Sequence, residues 1–192
     1  MKYNIVKESL VYDGFLKIKE ALITHDRFHE NTAVTYTREV LDKGPFVAVL
    51  LYEKDTDQLV FINQFRYPTI KNGTGWLFEI PAGGIEGEED PIQSAIREVE
   101  EETGYVVTDL HHILSCYMTP GISSERMYLY YGEVVQSDKK NEGGGAVYED
   151  EDIKVCKYPA AEIKTLLMSE VIDDAKSIIA LQWFMINKLN GS

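Results

Sequence analysis

The chain has 192 residues, 44% of them hydrophobic, enough to bury a substantial core as one domain or as one domain with a small appendage. Nineteen Lys and Arg against thirty-two Asp and Glu leave a net charge of -13, a field that repels nucleic-acid phosphates and anionic headgroups and argues against polymeric nucleic acid or a membrane surface as partner. The same field repels small phosphorylated molecules, so an acidic protein that handles one needs local cations, either bound metal or a few well-placed Arg.

The first fifteen residues alternate charged and apolar side chains without the apolar run of a leader, and no stretch approaches the roughly 18 apolar residues of a membrane span, so a soluble, cytoplasmic protein is expected. From Tyr3 to Leu41 the pattern is strand-like, with turn chemistry around Asp26 and Asn31, and predicts a small antiparallel β unit over residues 1–43. Gly44-Pro45 punctuates the chain. Phe46 to Tyr52 is then continuously apolar, as in a strand covered on both faces, and opens the main domain, 44–192. A hairpin near Asp55–Gln58 leads into a strand at Leu59–Phe65, and Asn72 to Gly75 forms a loop before a strand from Trp76.

The next helix is well signalled: Asp90 suits the N-cap, Pro91 the first turn, Gln93 a capping box, and Gly104 the stop. Strands are predicted at Val106–Tyr117, Arg126–Val135 and Ile153–Tyr158, with a flexible loop at Asn141–Gly145 and closing helices at Ala160–Met168 and Asp173–Leu189. Cys116 and Cys156 lack C-x-x-C or Cys/His spacing, so reduced, buried thiols are expected rather than a disulfide or a zinc site.

On the helix after Asp90, Glu98, Glu101 and Glu102 stand at i, i+3 and i+4 and share one face. Like charges so spaced destabilise a helix, whereas a hard divalent cation, which takes several oxygen ligands, turns their repulsion into coordination. A solvated acidic stripe is the bland alternative. The flanking residues disfavour it: Gly83, five residues, Glu89, seven residues, then Arg97-Glu98-Val99-x-Glu101-Glu102-x-Gly104-Tyr105. This pattern resembles the Nudix box along its whole length, departing only at Tyr105, where an aliphatic residue is more usual.

The resemblance implies a Nudix α/β/α sandwich with a mixed β-sheet. It also implies Mg²⁺ ions, for which Mn²⁺ can substitute, held by Glu98, Glu101 and Glu102, the carbonyl of Ala82 and, outside the box, Glu151. Glu101 counts with Glu149 among the catalytic groups. Arg97 would pair with a box carboxylate such as Glu89, and Gly83 would allow the tight turn before the helix. Hydrolysis of a phosphoanhydride also needs a base. The acidic run Glu149-Asp150-Glu151-Asp152, ordinarily read as a solvated turn, resembles the catalytic loop of the ADP-ribose and GDP-mannose pyrophosphatase branch; by position Glu149 is the base and Glu151 a metal ligand, with Gly143 to Gly145 as a hinge.

Further resemblances narrow the substrate to nucleoside diphosphate sugars. Pro120, sixteen residues after Gly104, occupies the marker position of the ADP-ribose enzymes within a substrate-loop-like stretch ending at Glu125, which would bond sugar hydroxyls. Gln64-Phe65-Arg66-Tyr67 resembles the same branch and offers Arg66 as the phosphate-binding cation, with Arg38 as a second candidate. Phe28 could stack on the base or simply fill a core. Ala180-Leu181-Gln182-Trp183 resembles the ADP-ribose enzymes, whereas the Glu142–Asp152 stretch is equally similar to the GDP-mannose enzymes, so ADP-ribose is favoured over GDP-mannose. The branch implies a homodimer formed through the N-terminal β unit. A nucleoside triphosphate sanitiser is disfavoured by that unit and by Pro120, and a non-catalytic ADP-ribose-binding module by the complete set of box carboxylates.

Overall fold

The computed structural model describes residues 1–29, 32–146 and 151–189. The chain forms two compact units, Met1–Pro45 together with Tyr117–Arg126, and Phe46–Cys116 together with Met127–Ser192.

In the first unit, β1 (Tyr3–Asp13), β2 (Lys17–Asp26) and β3 (Ala33–Leu41) form an antiparallel sheet in that order. Among the residues of these three strands only Ala21 is buried, while Tyr3, Ile5, Val6, Leu10, Val11, Tyr12 and, in the β1–β2 turn, Phe15 are exposed. So few residues cannot enclose a core alone. The Pro120 loop, expected within the main domain, groups with this sheet because its backbone pairs with the end of β3. The Leu41 amide donates to the Ile122 carbonyl at 2.8 Å, the Ser124 amide donates to the Leu41 carbonyl at 3.1 Å, and Lys43 pairs with Glu125 at 2.7 Å.

The second unit is built on β4 (Phe46–Glu53), β5 (Gln58–Phe65), β6 (Trp76–Glu79), β7 (Ala82–Gly84), β8 (Leu110–Tyr117), β9 (Arg126–Val134) and β10 (Ile153–Pro159). Its main path runs β10-β5-β4-β9-β8, with β6 against β5 and β7 against β4. The sheet is mixed because β4 and β9 are parallel, with Phe46 opposite Met127. Residues 47–51 of β4 are fully buried, as its continuous apolar run predicts for a strand covered on both sides. Val47, Val49 and Leu51 pack on one face with Ala95 and Val99 of α1 (Pro91–Thr103). The alternate face meets α3 (Ala175–Phe184), where the rings of Tyr52 and Phe184 lie 5.3 Å apart. Helix–sheet–helix layering follows, as the box resemblance implied.

The predicted elements shift at their edges. The strand expected from Val106 begins at Leu110, the helix at Ala160 opens with a 3₁₀ turn before α2 (Ile163–Met168), and the last helix loosens into a π-helical turn at Met185–Leu189. Both cysteines are free but only half-buried, not fully buried. Among the described residues no helix is long and apolar enough to cross a membrane.

Candidate active site

The strand β7 and helix α1 carry the box. Asp90 caps α1 by accepting from the Ile92 amide at 2.8 Å, and Gly104, at φ 75°, closes it with its amide on the Glu100 carbonyl. A side chain at Gly104 would also collide with the Asn141 carbonyl, so the left-handed turn and the close approach both require glycine.

The segment leading into α1 is tied to the helix by the helix's own side chains. Arg97 spans the turn, donating to Glu98 at 2.8 Å, Glu101 at 3.0 Å, Glu89 at 3.4 Å and the Gly84 carbonyl at 3.1 Å. Glu89 also accepts from the Ser94 hydroxyl at 2.6 Å. Glu102, 1% exposed, accepts from the Ala82 amide at 2.9 Å and so fastens α1 to β7. Gly83 makes room for Glu98: a Cβ there would lie 2.0 Å from its carboxyl carbon.

Glu98 and Glu102 both feel the charge of Glu151. Burial pushes the Glu98 carboxyl up to about 7 against the pull of Arg97, and the charges of Glu101 and Glu151 push the same way. Burial likewise raises Glu102 well above the ordinary carboxylate range, opposed by the Ala82 amide and Arg66 and reinforced by Glu98 and Glu151. Glu151 is held by the Ala146 amide at 3.0 Å. Among the described residues no three His, Cys, Asp or Glu side chains converge tightly enough to enclose a metal on their own. The donor set nevertheless suits a hard divalent cation: the carboxyls of Glu98 and Glu102, whose proton affinity burial raises, lie on the helix fastened to a strand whose Ala82 carbonyl is a further oxygen.

Gly143 to Gly145 do not form a free hinge. All three have positive φ, and the amides of Gly144 and Gly145 donate to the carbonyls of Glu102 and Glu101 at 3.1 and 3.0 Å. The loop therefore caps the C-terminal end of α1, satisfying carbonyls that a helix end leaves orphaned. Glu149 lies outside the described residues. A cavity of about 590 Å³ opens beside Arg97, Glu101 and Gly145.

Arg66 sits at the end of β5 with Nε 2.7 Å from Glu79, and the charges of Glu102 and Glu151 act on it. Sequence reasoning missed Glu79 and its second partner, the buried Lys176 of α3. The other proposed contacts belong to the first unit. Arg38 lies 4.2 Å over the Tyr36 ring, Glu125 is paired with Lys43, and Pro120 stands in the loop joined to β3. Phe28 is 82% exposed, which excludes its reading as a core aromatic.

Tyr105, the unusual box residue, is fully buried, and its hydroxyl donates to the buried Glu53. Glu53 also accepts from Thr56 and from Lys157, the latter at 2.7 Å. Burial raises that carboxyl, but the bonds from Lys157, Thr56 and Tyr105 outweigh it and hold the group below its ordinary value. The departure from an aliphatic residue is thus matched by a specific polar partner.

The model of the NUDIX domain matches residues 42–182. The chain belongs to the Nudix family. Among similar Nudix proteins, one named ADP-ribose pyrophosphatase from Haemophilus influenzae is 35% identical over 96% of this chain and 86% of its own length. One named GDP-mannose pyrophosphatase from Enterobacter sp. (strain 638) is 33% identical over 98% of both chains. A crystal structure of an ADP compounds hydrolase superposes with a TM-score of 0.73 over 98% of this chain and 97% of that one, at 20% identity, and so bears on the fold.

Proposed function

We propose that this Nudix protein hydrolyses the pyrophosphate bond of nucleoside diphosphate sugars, with ADP-ribose as the leading substrate, cleaved to AMP and ribose 5-phosphate. The observation that carries the reading is the buried Glu102 with the half-buried Glu98 and Glu151, whose charges act on it, and the guanidinium of Arg66, on which Glu102 and Glu151 act in turn. Nearly full-length similarity to proteins named for ADP-ribose and GDP-mannose hydrolysis supports the substrate class. GDP-mannose, giving GMP and mannose 1-phosphate, is the second reading, favoured by the several relatives that bear that name.

Glu98, Glu102, Glu151 and the Ala82 carbonyl would hold Mg²⁺, which supplies charge neutralisation on the diphosphate and lowers the pKa of water. The chain's own residues do the remaining work. Arg97 keeps Glu98 and Glu101 at fixed spacing, the Ala82 amide holds Glu102, and Arg66 offers hydrogen bonds to a phosphate oxygen. Glu149 takes the proton from the attacking water, and Glu101 assists on the box side. Base and sugar contacts by Phe28, Arg38 and Glu125 belong to the proposal on the strength of the branch resemblance. A homodimer is part of it too, supported by the apolar side chains that the three-stranded sheet leaves exposed.

The test is a hydrolysis panel of ADP-ribose, GDP-mannose, UDP-glucose and a nucleoside triphosphate with Mg²⁺, read as phosphate released after phosphatase treatment. Preference for a nucleoside diphosphate sugar supports the proposal. Activity on none of the four, or on the triphosphate alone, refutes it.

A further inference from the structure

Arg66 is not free to choose its direction. Its Nε and Nη2 both bond Glu79, at 2.7 and 3.3 Å, leaving Nη1 without a hydrogen-bond partner among the described residues. The side chain is 37% exposed, and it feels the charges of Glu102 and Glu151. Glu79 itself is buried at 3% and is approached from behind by Lys176 of α3, whose ammonium bonds the carboxylate oxygen that Arg66 holds through Nη2.

Lys176 in turn pairs with Asp174 at 3.1 Å. Asp174 caps α3, accepting from the Ser177 amide at 3.0 Å and hydroxyl at 2.6 Å, and the Ser177 hydroxyl accepts from the Ile80 amide at 2.9 Å. The start of α3 is therefore clamped both to Glu79 and to the backbone two residues before Ala82.

The charges in this cluster give it a purpose beyond packing. Two cations, Arg66 and Lys176, share two anions, Glu79 and Asp174, in a setting where an unpaired charge is costly. With Lys176 present, Glu79 is not left to Arg66 alone, so the guanidinium keeps positive character toward an incoming anion. The bidentate contact meanwhile fixes the plane of the guanidinium.

We infer that Glu79, backed by Lys176, is a positioning residue for diphosphate binding: it fixes Arg66 so that its unpaired Nη1 is presented at the carboxylate edge of the site. The inference rests on the nucleoside diphosphate sugar reading and adds residues from β6 and α3 that lie outside the box.

A double-mutant cycle of Glu79→Gln with Arg66→Ala tests it, because each variant leaves Lys176 a partner in Asp174. Steady-state hydrolysis of ADP-ribose and GDP-mannose with Mg²⁺ is measured together with Tm. Glu79→Gln is expected to raise KM about tenfold while changing kcat much less, and to add nothing to KM in the Arg66→Ala background. Its loss of Tm persists in both backgrounds. An equal KM increase with and without Arg66, or an unchanged KM, overturns the inference. Should Glu79→Gln not fold, Lys176→Gln, which keeps a donor to Glu79, enters the same cycle with the same two outcomes, and Lys176→Arg should keep KM near that of the unaltered protein. Turnover of neither substrate by the unaltered protein overturns the functional reading and this inference together.

Discussion

Substituting Glu98 by Gln in chelator-treated protein should stabilise it, and increasingly so as pH rises. The Glu98 carboxyl is 12% exposed and held at about 7, against an ordinary value of 4.5, because burial disfavours its charged form more than Arg97 favours it. A raised carboxyl binds its proton in the folded chain after the unfolded chain has released it. Stability is therefore lost as pH climbs from 4.5 to 7, and the loss is complete above 7. A difference of about 2.5 pH units at about 1.4 kcal/mol each gives about 3 kcal/mol, to order of magnitude. For a chain of this length that corresponds to roughly 6 to 12 °C in Tm. Thermal unfolding in EDTA at pH 8 should show the Gln variant above the unaltered protein by this order, and the gap should shrink below about 1 kcal/mol near pH 5. A Gln variant equal to or less stable than the unaltered protein at pH 8 would refute the reasoning that burial of the charged Glu98 carboxylate costs stability.

Three other substitutions probe parts of the account. Tyr105→Phe removes one of the donors to the buried Glu53 and should lower stability by about 1–3 kcal/mol, read as a lower denaturation midpoint at unchanged m. Gly143→Ala puts a Cβ 2.4 Å from the Glu102 carbonyl oxygen at φ 70°, so stability should fall by about 1–3 kcal/mol and kcat with it; an unaltered melting profile would show that the glycine run does not hold the end of α1. Tyr12→Glu with Phe15→Glu places charge among the exposed apolar side chains of the first unit and should convert the proposed dimer to monomer in sedimentation equilibrium, whereas an unchanged mass would contradict an interface there.

The parts of the fold legible in the sequence are those with local causes. Asp90, Pro91 and Gly104 bracket α1 because capping and left-handed termination act within a few residues, and the unbroken apolar run of β4 announces a strand covered on both faces. The box residues were legible because their spacing places them on one helical face. What escaped depends on contacts between distant segments. Nothing near Arg66 points to Lys176, which meets it only through Glu79, and nothing near Tyr105 points to Glu53.

The glycine run illustrates the same limit. Three consecutive glycines read as freedom, yet their positive φ values are used to bring two amides onto the end of α1. Chain order places the Pro120 loop in the main domain, whereas backbone bonds to Leu41 join it to the first sheet. Composition did supply one lesson. An acidic protein that handles phosphates needs placed cations, and Arg66, the cation proposed for that role, is held in position by a buried carboxylate.

The central claim is tested most directly by incubating ADP-ribose with the unaltered protein and with Glu102→Gln, each in Mg²⁺ and in EDTA, and resolving the products by ion-exchange chromatography. The account predicts equimolar AMP and ribose 5-phosphate from the unaltered protein in Mg²⁺, and a loss of at least about a hundredfold both in EDTA and in the folded Gln variant. Turnover that survives in EDTA or in Glu102→Gln would contradict it.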